Sequence, residues 1–236
     1  MKNLYLCGDI HGEWRSFVWN AVERYKINDA SIIIVGDFGV GFDGQLLRDI
    51  ERTERKLEKH NIKVYAVRGN HDDPDYFDGR KLSEHVTLLK DYSETEIEGF
   101  NVLPIGGANS VDIEDRLKTN TLWERQKVDK KCWWPGEDVK RVEINILPLK
   151  TDLIVSHEAP MAFEPTPRRP EICPYEQYKR ILETRRYLNE ILDNVNTPYW
   201  YFGHYHRSII GSFAKTQYRG LNIMEFFLFP ECYKED

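Results

Sequence analysis

Five short apolar runs, each ending in a cluster of glycine with aspartate, asparagine or histidine, constrain this chain more than any other feature. NLYLC leads into GDIHG, SIIIV into GDFG, KVYAV into RGNHD, DLIV into SHEAP, and PYWYF into GHYH. Helical patterns separate the first three runs. In EWRSFVWNAVERY, Trp14, Phe17, Val18, Ala21, Val22 and Tyr25 recur at three- and four-residue steps, as on one helix face. In DGQLLRDIERTERKLEKHN, Leu46, Leu47, Ile50 and Leu57 form a stripe among charges, and ERTERKLEK reads as a solvated face with local ion pairs. The resulting βαβαβ order predicts parallel strands joined by crossover helices.

Between about residues 85 and 105 the pattern changes to HVTLL, TEIEGF and NVLPI, extended pieces turning near Glu98 and Gly99. A second sheet or sheet edge is expected there. Residues 108–140 are polar and irregular, which predicts an inserted loop or small cap. A helix is expected from about 175 to 194, and RSIIGSFAKTQYRGLNIMEFFLF predicts two or three closing strands. No repeat or linker divides the chain, so residues 1–236 read as a single domain.

In open α/β sheets the ligand crevice lies outside the carboxyl ends of the strands, so the five clusters are expected to converge. Five of the seven histidines, His11, His71, His157, His204 and His206, fall in them; only His60 and His85 lie outside. Carboxylate and amide oxygens with imidazole nitrogens suit divalent manganese, iron, zinc or nickel. The four cysteines, Cys7, Cys132, Cys173 and Cys232, are far apart and form no C-x-x-C pair, so neither a thiolate zinc site nor a disulfide framework is indicated and a reducing cytoplasm is the expected setting. Lys and Arg total 33 against 39 Asp and Glu, a net charge of −6, so no general nucleic-acid binding is expected. No segment reaches the length of a membrane span or reads as an export signal.

GD-x-HG, GD-x-G, GNHD, SHEAP and GH-x-H, in this order over residues 8–206, resemble the calcineurin-like metallophosphoesterase superfamily. GGANSVD, Arg116 and CWWPGED are similar in part to a segment of its small bacterial and phage branch. The resemblance implies a four-layer αββα sandwich, two mixed sheets flanked by helices, with a two-metal site. By motif position Asp9, His11, Asp37 and His206 would hold one ion, and Asp37, Asn70, His157 and His204 the other, with manganese the first expectation. The activity implied is hydrolysis of a phosphate ester by in-line attack of a hydroxide shared between the ions. A phosphomonoesterase is expected first, then a phosphodiesterase or nucleotide pyrophosphohydrolase, a serine/threonine protein phosphatase, and a noncatalytic scaffold.

His71 follows ligand Asn70 and is the candidate to protonate or hydrogen-bond the leaving oxygen, with Asp72 to orient it. Arg68 is the candidate donor to the phosphoryl oxygens. The sequence departs from the protein-phosphatase branch, whose second motif continues GD-x-V-D-R-G: GDFGVG has Val40 and Gly41 at those places. Two further segments bear on substrate choice. The proline-rich EAPMAFEPTPRRPEICP carries Arg168 and Arg169 beside the site or forms a solvated connection. Trp133 and Trp134 either stack on an aromatic leaving group or anchor a loop on the core.

Overall fold

The first apolar run pairs on both sides, and that pairing builds the first sheet. In the computed structural model, which describes residues 2–165 and 173–230, strand β1 (Asn3–Cys7) lies parallel to β2 (Ala30–Ile34), and β2 parallel to β3 (Ile62–Ala66). The crossovers are a short α1 (Trp14–Trp19), continued by a wider π turn over Asn20–Arg24, and α2 (Gln45–Lys59). Strands β4 (Lys81–Ser83) and β5 (Val86–Leu88) extend the far edge, β5 parallel to β3 and β4 antiparallel. The sequence pattern did not mark β4, which has three residues and only partly buried apolar surface.

The second sheet starts with a hairpin, β6 (Thr95–Ile97) and β7 (Phe100–Ile105). Its two-residue turn has Glu98 at φ +50° and Gly99 at φ +85°, the doubly left-handed turn that matches strand twist. The remaining elements are α3 (Ile113–Arg125), β8 (Leu153–Ser156), α4 (Tyr175–Asn194), β9 (Tyr199–Phe202), β10 (Ile209–Phe213), β11 (Thr216–Gly220) and β12 (Phe226–Phe229). The sheets run β12-β1-β2-β3-β5-β4 and β10-β11-β9-β8-β7-β6, six strands each and both mixed.

Three apolar layers explain the stacking. Leu4, Leu6, Ile33 and Val35 of the first sheet pack with Val102, Leu153, Val155 and Tyr201 of the second. Outside the first sheet, Ile32, Ile34, Val64 and Ala66 meet Trp14, Phe17, Leu46, Ile50 and Leu57 of α1 and α2. Outside the second, Leu103, Ile154, Trp200 and Phe202 meet Tyr187, Leu188 and Ile191 of α4. The order is therefore helix, sheet, sheet, helix, the α/β sandwich expected.

Residues 108–140, expected as an inserted loop or small cap, are not wholly irregular. They contain the 13-residue α3, none of whose residues is buried. A helix without a buried stripe has no periodicity for a sequence to display. Asn120 ties α3 to the following segment, accepting the Cys132 N–H at 2.9 Å and donating to the Trp133 carbonyl at 2.8 Å. Trp134 is buried and Trp133 partly so. Arg168 and Arg169 lie outside the described residues. Among the described residues no helix is long and apolar enough to cross a membrane.

Candidate metal centre

The strand-end clusters meet where the carboxyl ends of β1, β2 and β3 face those of β8 and β9. Asp9 and Asp37 are buried, and backbone bonds lock their turns together: the Asp37 carbonyl accepts the N–H groups of Ile10 at 3.2 Å and His11 at 2.7 Å. The Asp9 carboxylate accepts the His204 N–H, at 3.1 Å to its nearer oxygen. A Cβ at Gly69 would lie 2.1 Å from Asp37 Oδ1, and one at Gly203 2.2 Å from Asp9 Oδ1. Glycine at these two places admits the carboxylates to the backbone.

One ligand atom from each of Asp9, His11, Asp37 and His206 lies within 4.8 Å of the others. His206 Nε2 is 3.2 Å from Asp9 Oδ2 and 3.0 Å from His11 Nε2, and His11 Nδ1 is 3.6 Å from Asp37 Oδ2. The other Asp37 oxygen, Oδ1, turns to a second set: it is 3.1 Å from His157 Nε2, which is 3.0 Å from Asn70 Oδ1. The His204 ring lies against that of His157, with centroids 5.0 Å apart. The two oxygens of Asp37 thus serve two donor sets.

The electrostatics fit a cation. Among the described residues the charge partners of Asp9 and Asp37 are imidazoles, not lysine or arginine. Burial opposes the Asp37 charge, but His157 and His71 outweigh it and hold the carboxyl well below the usual range. Burial likewise opposes charge on His157, yet Asp37 and Asp9 push it up to about 10. Crowded carboxylates that draw protons onto neighbouring imidazoles are sites a divalent ion can occupy by displacing those protons. Oxygen and imidazole donors without thiolate suit a first-row divalent metal.

A family model described as calcineurin-like phosphoesterase matches residues 2–208. The chain belongs to the calcineurin-like phosphoesterases. This phosphoesterase has a metal-dependent hydrolase's family and a candidate metal-binding group to match. No curated protein matches the sequence. One solved structure aligns over 96% of this chain and 98% of its own at 10% identity and a TM-score of 0.50, a likeness of fold alone. Phosphopantetheinyl Hydrolase (PptH) from Mycobacterium tuberculosis aligns at 12% identity and TM-score 0.43, over 94% of this chain and 90% of its own. A putative 5'-nucleotidase from Staphylococcus aureus aligns at 13% identity and TM-score 0.40, over 94% of this chain and 48% of its own.

Two of the expected roles in this phosphoesterase are corrected by its hydrogen bonds. Arg68 is buried, and its guanidinium is spent on Asp91 and on the carbonyls of Gly106, Gly136, Glu137 and Asp138, all at 3.0–3.1 Å. An arginine has five N–H donors, and here none is left for a phosphoryl oxygen. Asp72 does not orient the His71 ring. Its oxygens accept the N–H groups of Phe38, Gly39, Val40 and Gly69 at 2.6–3.1 Å, clamping the Asp37 turn to the RGNHD turn. Burial and the Asp37 charge push its pKa up to about 6 against those donors.

Arg116, on the exposed α3, supplies the guanidinium at the site. The Asp112 carboxylate accepts its Nε–H at 2.6 Å, and the Cys132 carbonyl accepts from its Nη1 at 3.2 Å. Its two terminal nitrogens lie 3.0 and 2.7 Å from the nitrogens of His71. A neutral imidazole has one acceptor nitrogen, so one contact at a time is a hydrogen bond. Burial pushes His71 down to about 4, opposed by Asp37 and reinforced by Arg116. The His71 and His11 rings are 5.0 Å apart, and their side chains are about a quarter exposed, which marks the open side of the site. The signal for Arg116 was present as an Asp112–Arg116 pair at helical spacing. Outside the site, His60 bonds Asn28 at 2.6 Å and His85 bonds Glu54 at 2.6 Å.

Proposed function

We propose that the chain is a two-metal phosphoesterase acting first on phosphomonoesters. The observation that carries this reading is Asp37, whose Oδ2 faces His11 and whose Oδ1 faces His157. A carboxylate so placed can be shared by two cations. Asp9, His11, Asp37 and His206 would hold one ion, and Asp37, Asn70, His157 and His204 the other. Manganese is the ion proposed first. When bound, the pair supplies an activated water and withdraws charge from the phosphoryl oxygens.

The chain's own groups do the rest. Asp9 and Asp37 fix the imidazoles, and the clamp at Asp72 keeps Asp37 in register with the RGNHD turn. Arg116 presents its guanidinium beside His71, on the open side, where it can bind a phosphoryl oxygen. A monoester carries a second negative charge that a diester lacks, so this extra cation favours the monoester. His71 stands next to hydrogen-bond the leaving oxygen. The cytoplasm is the compartment we propose, since Cys7 and Cys132 are free thiols.

The test is to strip metal, restore manganese, and compare a phosphomonoester, a phosphodiester, a dinucleotide polyphosphate and a phosphopeptide. The expected order puts the monoester first. No hydrolysis of any of them by protein holding two ions would overturn the reading in favour of a scaffold.

A further inference from the structure

We infer that Glu137, far from the metal ligands in sequence, is a positioning residue that sets which end of the Asn70 amide faces the metal. The inference rests on the reading of Asn70 as a ligand of the second ion. An asparagine amide is an acceptor at one end and a donor at the other, of nearly equal shape, and only the oxygen end binds a cation.

Asn70, Ser110 and Glu137 are all buried, so their bonds to one another are not exchanged for water. Asn70 Nδ2 donates to Ser110 Oγ at 3.0 Å, and Ser110 Oγ donates to Glu137 Oε2 at 2.5 Å. The Ser110 N–H donates to Glu137 Oε1 at 3.0 Å. Further bonds fix the frame: Gln177 Nε2 donates to the Ser110 carbonyl at 2.8 Å, and the Glu137 carbonyl accepts from Ala108 and Arg68.

Ser110 presents two donors to Glu137, and the ionised carboxylate, the form that prevails at pH 8, accepts both because neither of its oxygens carries a proton. The hydroxyl has one proton, now committed to Glu137, so only its lone pairs remain towards Asn70. They require a donor there, which places Nδ2 against Ser110. The amide oxygen is then left facing His157 Nε2 at 3.0 Å, in the second donor set.

Glu137→Gln keeps the shape and inverts the logic. The Ser110 N–H still needs an acceptor, so the glutamine oxygen goes opposite it and the glutamine NH2 opposite the hydroxyl. The hydroxyl proton then swings to Asn70 and favours the amide oxygen towards Ser110, with NH2 towards the metal. Ser110→Ala removes the relay without inverting it.

The experiment is an equilibrium manganese titration of metal-stripped full chain at pH 8, with stoichiometry read by elemental analysis. The wild type is expected to bind two ions. Glu137→Gln should keep affinity for the first and lose about 10- to 100-fold for the second, the range usual for partners that orient ligands. Ser110→Ala should weaken the second ion less, and it reads the relay if Glu137→Gln fails to fold. Asn70→Ala separates the two layers of the reasoning. If it loses the second ion while Glu137→Gln and Ser110→Ala bind as wild type, the relay is overturned and the two-metal reading stands. If Asn70→Ala keeps both ions, Asn70 is no ligand and both readings of it fall.

Discussion

Two arginines, Arg68 and Arg116, offer the sharpest separation of structure from chemistry. Replacing each by methionine removes the charge and keeps most of the apolar stem. Arg68 is paired with Asp91 inside the protein, its side chain 0% exposed and that of Asp91 8%. Breaking a buried pair from one side costs about 3–5 kcal/mol, because the remaining charge is left uncompensated. That is a large share of the roughly 5–15 kcal/mol holding a typical domain together. At about 2–4 °C per kcal/mol for a chain of this size, Arg68→Met should lower Tm by about 6–20 °C. Arg116→Met gives up a guanidinium at the rim of α3, where the Asp112 partner is about a third exposed, and should change Tm little. Its effect should fall on turnover: a hydrogen bond to a charged group is worth about 1.5–3 kcal/mol, or about ten- to hundred-fold in kcat/KM. The assay is a thermal melt and a manganese-dependent monoesterase assay on both variants. An Arg68→Met protein that melts like wild type but has lost activity would refute the reasoning.

Asp37→Asn should lose both ions, whereas His206→Ala should lose the first and keep the second, as read by metal content. Chelation should lower Tm: an ion at a hundred times its dissociation constant contributes about 2.7 kcal/mol, roughly 5–10 °C here. Stability of the metal-free protein should depend on pH through Glu137, which burial pushes up to about 7 from an ordinary 4.5, with the Asp138 charge adding and the Ser110 donors opposing. The folded state keeps a proton that the unfolded state releases between those values, so stability falls as pH rises across that window. The change is on the order of 3 kcal/mol, and urea melts should show Glu137→Gln free of it. A wild-type-minus-variant difference that stays constant from pH 4.5 to 8 would contradict this.

The five clusters were legible because each sits where an apolar run stops, and a strand end fixes its location whatever lies between. NLYLC and PYWYF are nearly 200 residues apart, yet the Asp9 carboxylate accepts the His204 N–H. The roles of Arg68 and Asp72 were misread for a common reason. Each neighbours a ligand in sequence, but adjacent residues at a sharp turn point opposite ways. Arg68 runs inward to Asp91 and the carbonyls around Glu137, and Asp72 into a ring of backbone N–H groups. Conversely, Arg116 and Glu137 reach the site from residues 108–140, which lack periodicity because α3 buries nothing. Side-chain direction, rather than position along the chain, separated the residues found from those missed.

The backbone at the centre carries a cost that no sequence pattern displays. His11, Asp37, His204 and His206 all have positive φ, at +47°, +47°, +68° and +49°. For residues with a Cβ this region costs about 1–2 kcal/mol each, so together on the order of 4–8 kcal/mol. Bonds between clusters hold it in place, through the Asp37 carbonyl on Ile10 and His11 and the Asp9 carboxylate on His204. Four of the proposed ligands therefore sit on strained backbone, a cost that a bound cation would offset. His206 is the clean position at which to measure it, since its side chain is 44% exposed and little packing is lost on truncation. In the metal-free protein, His206→Gly should be more stable than His206→Ala by about 1 kcal/mol, because glycine enters this region without penalty. Elsewhere glycine is the worse replacement, as it loses more entropy on folding. Urea melts of the two variants decide the matter, and an alanine variant equal to or more stable than the glycine one would show that the left-handed turn at His206 stores no strain.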